Sequence, residues 1–226
     1  MSSLKRTARL AGLYYLILAI SGAYGIMYVT SQIIVRGDAA ATTSNILQHE
    51  FLFRTGIFAN LLCQTMFIFL ALKLYQLFKE VNGHLARTLV ALVIVSVPIS
   101  FLIIFNQIFA LLLLKETFMS ALPPEQLNAL AMASLRMYDY GTVVIGIFWG
   151  LWLIPFGLLA YRSGFMPKII GILLVVGGIS YLIDASAFVL YPSFRTWTAQ
   201  LVAIFSAIAE LSSVVWLLAV GVKEKK

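Results

Sequence analysis

The stretch GGISYLIDASAFVL places one carboxylate, Asp184, in an otherwise apolar run. An ionisable side chain at the centre of a membrane span costs roughly 2.5–3.5 kcal/mol on insertion scales, so such groups face a bundle interior and find partners. Gly177, Tyr181, Asp184 and Phe188 follow heptad spacing and share one helix face. The carboxylate therefore points where a small residue, a phenol and a ring point. Glu210 stands in a second apolar run, on the face that carries Ala203 and Ala207. A carboxyl there is either paired or protonated, because a bare buried charge is costly.

Other polar groups interrupt other apolar runs. Arg54, Asn60 and Gln64 lie in one, Ser96, Asn106 and Gln107 in the next, and Asp139 follows between Tyr138 and Tyr140. With a helical rise of about 1.5 Å per residue, Asp184 lies roughly 9 Å from the end of its run, and Asn106 and Gln107 roughly 11 Å from the end of theirs. Arg54 sits about one turn into its run and Asn60 two turns deeper. Arg54, Asn60, Asn106, Gln107, Asp139, Tyr181 and Asp184 thus collect in one half of a bundle. Gln64, Ser96 and Glu210 form a smaller layer near mid-depth. The first set is expected to line a ligand pocket, since intramembrane ionisable groups mark such sites. Each member also has a structural reading. Arg54 follows Glu50 by four residues, which an i,i+4 ion pair explains. Arg136 could hold Asp139, and Asp184 could tie helices together.

Several chemistries are excluded or disfavoured. A zinc hydrolase needs about three converging protein ligands. The two histidines, His49 and His84, fall on opposite sides of the expected membrane, so no multi-histidine site forms and no metal is expected. Paired-histidine haem ligation fails for the same reason, and no cofactor is expected. There is no GxSxG elbow and no Walker A loop. An aspartyl protease would need two carboxyls sharing a proton. Around Asp184 the sequence reads YLID where those enzymes carry GxGD. Cys63 is the single cysteine, which excludes a disulfide within the chain, a CxxC centre and a thiolate cage.

The elements that must position these residues follow from composition. Of 226 residues 62% are hydrophobic and 11% charged, and mean hydropathy is +0.97. Soluble domains are about 45–50% apolar and about 25% charged, so this is an integral membrane protein. Six apolar runs can each cross a bilayer, near 9–35, 50–78, 87–114, 139–161, 168–190 and 197–220. The fold class expected is all-α: one six-helix bundle over residues 1–226. The runs are continuous rather than alternating, which disfavours a barrel. The first is much longer than the usual 7–15 residue signal core and reads as a retained span. Among the 16 Lys and Arg residues, 11 fall on the side of both termini; Arg36, Arg54, Lys115, Arg136 and Arg195 fall on the other. The positive-inside rule then predicts cytoplasmic termini. The net charge of +7 is read as orientation and contact with anionic lipid heads, so no nucleic-acid partner is expected.

Two outer loops are long enough for short helices of their own. In RGDAAATTSNILQHE, Thr43 and Ser44 are expected N-caps. In the other, Pro124 is expected at a first helical position with Glu125 beside it, and Leu127, Leu130 and Ala131 form an apolar face. Such helices would lie across the outer mouth, as interfacial pieces or as a lid. Ser21/Gly25 and Gly146/Gly150 are small-xxx-small pairs, Gly177 and Gly178 thin the fifth span, and Pro98 and Pro155 are expected to bend theirs. No internal repeat of the inverted transporter type is evident.

The segments ARLAGLYYLI, GDAAATTSNILQHEFLFR and YRSGFMPKIIGILLVVGGISYLID resemble a bacterial family of integral membrane proteins, domain-of-unknown-function 4386. The resemblance extends over nearly the whole chain. It implies a bacterial inner-membrane protein, agrees with six spans, and implies no activity and no site residue. The reading that joins these strands is a non-enzymatic protein whose polar pocket binds a small molecule or a lipid. The alternatives are a small proton-coupled transporter using Asp184 and Glu210, an intramembrane lipid-modifying enzyme with Asp184 or Asp139 as acid or base, and a ligand-free scaffold. Membrane lipids are the expected partners; the oligomeric state is not encoded legibly.

Overall fold

A computed structural model describes residues 3–115 and 122–222. Among these residues the chain is helical, with no strand. Helix α1 (Ser3–Gly22) passes into a π-helical stretch, Ala23–Val29, and closes with one α-helical turn, Thr30–Ile33. A short α2 (Ala39–Gln48) precedes α3 (Glu50–Phe78), α4 (Gly83–Lys115) and α5 (Pro124–Arg162). After α6 (Lys168–Leu190) comes a 3-10 turn, Pro192–Phe194, and then α7 (Arg195–Ala219). Among the described residues six helices are long and apolar enough to cross a membrane, as the hydropathy predicts. Residues 116–121 of the second expected loop lie outside the described residues. So do Lys223, Lys225 and Lys226, on which part of the orientation expectation rests.

The second and fifth spans fall where expected, and the others run longer at one end. α1 begins well before Arg9 because Ala8, Ala11 and Tyr15 form one fully buried stripe. α4 begins at Gly83, where the Asn82 side chain caps it by accepting from Leu85 N at 3.0 Å. The largest difference is in α5. It does start at Pro124 with Glu125 in its first turn, but it continues unbroken for 39 residues, so the expected short helix and the fourth span are one element. Its buried stripe is Ala131, Ser134, Leu135 and Tyr138, a core face rather than a membrane-surface face, and Leu130 is exposed. In α2 the N-cap is Asp38, which accepts from Ala41 N at 2.8 Å; Thr43 and Ser44 are helical. Thr43 is buried, with its hydroxyl 2.9 Å from Asn128 Oδ1 of α5.

Two compact units emerge from the packing. One comprises Leu18–Gln64 and Pro98–Thr142. Its apolar core includes Val29, Ile33, Ile46, Phe53, Ile57, Ile104 and Leu111. The π-helical stretch meets α3 closely within it. A Cβ on Gly25 would overlap the Asn60 side chain, and one on Gly56 would lie 2.7 Å from Val29 Cγ1.

The other unit comprises Met1–Ile17, Thr65–Val97 and Val143–Lys226. In it α5 and α6 touch backbone to backbone at two places seven residues apart. A Cβ on Gly150 would lie 2.5 Å from Gly178 O, and one on Gly178 would lie 2.6 Å from Gly150 O. Gly157 and Gly171 repeat the arrangement, at 2.5 Å and 2.6 Å. Lipid supplies no hydrophobic drive between helices, so such close approach carries the association. Gly150 and Gly178 were legible as small residues, but Gly146 is not part of this seam; a Cβ there would meet Tyr181 Cδ1 at 3.4 Å, ordinary contact. α1 packs on α7 at Gly12, where a Cβ would come 2.9 Å from Leu218 N. Tyr15 is fully buried beside Trp152 and Phe156, with ring centroids 6.0 and 6.4 Å away.

Candidate functional site

A four-residue connection joins α3 and α4, and Asn60 of α3 meets Gln107 of α4. Asn60 Nδ2 donates to Gln107 Oε1 and to Tyr138 Oη of α5, both at 3.0 Å. All three side chains are buried, at 3%, 4% and 8% exposure. Three helices are therefore joined by one amide. Asn60 Oδ1 faces Gly25, where the missing side chain leaves it room. Asn60 Oδ1, Gln64 Oε1 and Ser100 Oγ are buried without a hydrogen-bonding protein partner among the described residues.

Asn106, adjacent in sequence to Gln107, behaves differently. Its side chain lies on carbonyls of its own helix, 3.3 Å from Leu102 O and 3.1 Å from Ile103 O, while its backbone carbonyl accepts from Ser134 Oγ at 2.7 Å. Asp139 is exposed, one residue round the helix from the buried Tyr138. These polar groups largely satisfy one another and their own helices.

Arg54 heads a different feature. Its Nε donates to Glu50 Oε1 at 2.7 Å, the i,i+4 pair the spacing predicts, and Lys115 Nζ reaches Glu50 Oε2 at 2.6 Å. Two cations thus share one carboxylate where the hairpin ends come together. Exposed pairs of this kind contribute about 0–1 kcal/mol to stability, so the cluster's charge matters more than its bonding. Beneath it runs a groove of about 220 Å³, lined by Arg54, Ile57, Phe58, Leu61, Ile108 and Leu111. Apart from Arg54 the lining is apolar.

The remaining expected residues belong to the other unit. Asp184 Oδ1 accepts from Thr198 Oγ1 at 2.5 Å, which ties α6 to the first turn of α7. Nearby, the Arg195 guanidinium lies 5.1 Å from the Phe188 ring centroid. Tyr181 stands edge-on to Trp149, with centroids 6.2 Å apart. Ser96 is buried and donates to Val93 O of its own helix at 2.9 Å. Glu210 Oε2 accepts from Tyr15 Oη at 2.9 Å. A Thr198→Val substitution is expected to destabilise the α6–α7 hairpin by about 1–3 kcal/mol, because it leaves a carboxylate without its donor. The check is a thermal midpoint that falls in Thr198→Val and is kept in Thr198→Ser.

Residues 10–221 match the family described as Domain of unknown function (DUF4386). The chain belongs to this family. The DUF4386 description carries no activity, so any role for these residues rests on their chemistry. No curated protein and no solved structure matches the chain. Among the described residues of this DUF4386 chain no three His, Cys, Asp or Glu side chains gather as metal ligands. Four partners went unpredicted: Tyr15, Lys115, Tyr138 and Thr198. Lys115 was within reach of the hairpin register, since it and Glu50 occupy matching ends. Tyr138 was visible only as a neighbour of Asp139. Nothing local marks Tyr15 or Thr198.

Proposed function

We propose that this multi-pass membrane protein binds an anionic lipid, with the headgroup at Arg54 and Lys115 and an acyl chain in the groove below. The supporting observation is the pairing of an apolar groove with a cation cluster at one end of it. Among the described residues the cluster carries one positive charge in excess, because Arg54 and Lys115 share Glu50. Arg suits phosphate through its planar fork of donors, and Lys adds a point charge. From Arg54 to Leu61 the groove follows α3 for roughly 10 Å, the reach of part of an acyl chain. On this reading the protein is a bacterial inner-membrane protein with cytoplasmic termini, and the groove opens to the outer leaflet. The occupant is then a lipid, and the buried Asn60 network is the wall that holds α3, α4 and α5 in place around it.

The test is native mass spectrometry of the full chain in detergent, titrated with phosphatidylglycerol or phosphatidylcholine. Phosphatidylglycerol is expected to bind more tightly. A basic side chain near an anionic surface contributes about 1 kcal/mol, so Arg54→Ala and Lys115→Ala should each weaken that binding about fivefold. Lys73→Ala, at a partly exposed position elsewhere on α3, serves as the control and should leave binding unchanged. Equal affinity for the two lipids, or no loss in the Arg54 and Lys115 variants, would overturn the proposal.

A further inference from the structure

Glu210 stands where an unpaired charge is hardest to keep. It is about 22 Å along α7 from Arg195 and about 14 Å from the helix end, so it lies deep in the span. Its carboxyl accepts one hydrogen bond, from Tyr15 Oη at 2.9 Å. Among the described residues no Lys, Arg or His forms an ion pair with it. The titratable groups facing it are few. α1 presents Tyr15; Tyr181 of α6 interacts electrostatically with that Tyr15 rather than with Glu210. α5 contributes Trp152 and Phe156 around the phenol, and neither titrates. Glu210 is nevertheless partly exposed as a residue, and Ala203 and Ala207 on the same helix face are exposed, so the lipid phase reaches this face of α7.

From this geometry we infer that Glu210 is a proton-binding site in the membrane core, reached from the lipid phase and held by the Tyr15 phenol. The ligand is a proton, exchanged at the carboxyl oxygens. Nothing in the lipid groove takes part, so the two sites stand or fall separately. A neutral carboxyl at such a place reacts with a hydrophobic carbodiimide. The carboxyl oxygen bonds to the central carbon of the N=C=N group while its proton passes to one nitrogen. The resulting O-acylisourea rearranges by acyl transfer to nitrogen, giving a stable N-acylurea. No atom is lost, and nothing is oxidised or reduced.

The experiment treats the full chain in lipid vesicles with dicyclohexylcarbodiimide and maps the adduct by peptide mass spectrometry. The adduct is expected on Glu210, in preference to Asp139 and Asp184, with a yield that falls as pH rises from about 5 to about 9. Glu210→Gln should abolish it. Tyr15→Phe removes the donor that favours the charged carboxylate. Well above the pH where the wild-type chain is half labelled, that variant should react faster, by up to about tenfold. An adduct absent from Glu210, or a yield independent of pH, would overturn the inference. Equal rates in Tyr15→Phe and the wild-type chain would overturn the role given to the phenol.

Discussion

A Gly157→Val substitution is expected to lower the thermal midpoint of the detergent-solubilised protein by roughly 6–12 °C, if the variant accumulates at all. A Cβ at this position would stand 2.5 Å from Gly171 O, 2.8 Å from Val175 Cγ2 and 3.0 Å from Val175 N. Two of those atoms are backbone and cannot swing aside. α5 and α6 would have to separate, and separation also opens the matching contact at Gly150 and Gly178, one heptad away. Overpacking usually costs about 1–3 kcal/mol, and here the upper end applies because backbone meets backbone. Gly146→Ala is the informative contrast. Its new methyl would touch one ring carbon of Tyr181 at 3.4 Å, and the midpoint should hardly move. Similar midpoints for Gly157→Val and Gly146→Ala, measured by a thiol-reactive or intrinsic-fluorescence melt, would show that the glycine seam does not carry the association.

That contrast also shows where sequence reading stops. The spans were legible because a bilayer imposes length and hydropathy on every crossing helix. The seam was not, because spacing within one helix cannot say which face meets which neighbour. Gly146 and Gly150 fit a known small-residue pattern, yet the contacts pair Gly150 with Gly178 and Gly157 with Gly171. The continuity of α5 was missed for a related reason. Residues before Asp139 were read as an outer loop carrying a separate short helix, whereas Ser134 and Asn128 are spent on hydrogen bonds to Asn106 and Thr43. Position along a helix does not fix direction. Asn60 and Gln107 lie at one level and do meet. Asn106 and Asp139 lie at the same level and point elsewhere, because a helix turns through about 100° per residue. Asp184 and Tyr181 belong to the other compact unit, where Thr198 and Trp149 are their neighbours.

Removing Asn60 is the second substitution with a large expected effect. Asn60→Leu keeps the branched heavy-atom shape, with somewhat greater bulk, but deletes both donors at once. Gln107 Oε1 and Tyr138 Oη then lose a hydrogen bond inside a buried, apolar core. A buried polar group left unsatisfied costs about 1–3 kcal/mol, so the pair should cost roughly 2–5 kcal/mol. The branched side chain would also press on Gly25, against which the Asn60 carboxamide is already close-packed. A double-mutant cycle separates these effects. If the network carries the cost, Asn60→Leu combined with Gln107→Leu should lose less than the two single losses added, since the second change removes one of the orphaned acceptors. If steric pressure on Gly25 carries it, the two losses should simply add. Tyr138→Phe gives an independent reading, because it removes one acceptor without touching the contact between the π-helical stretch and α3. Its loss alone should be the smaller, about 1 kcal/mol, since Asn60 keeps its bond to Gln107. A Tyr138→Phe variant as unstable as Asn60→Leu would mean that the ring hydroxyl, rather than the amide, is what joins α3, α4 and α5.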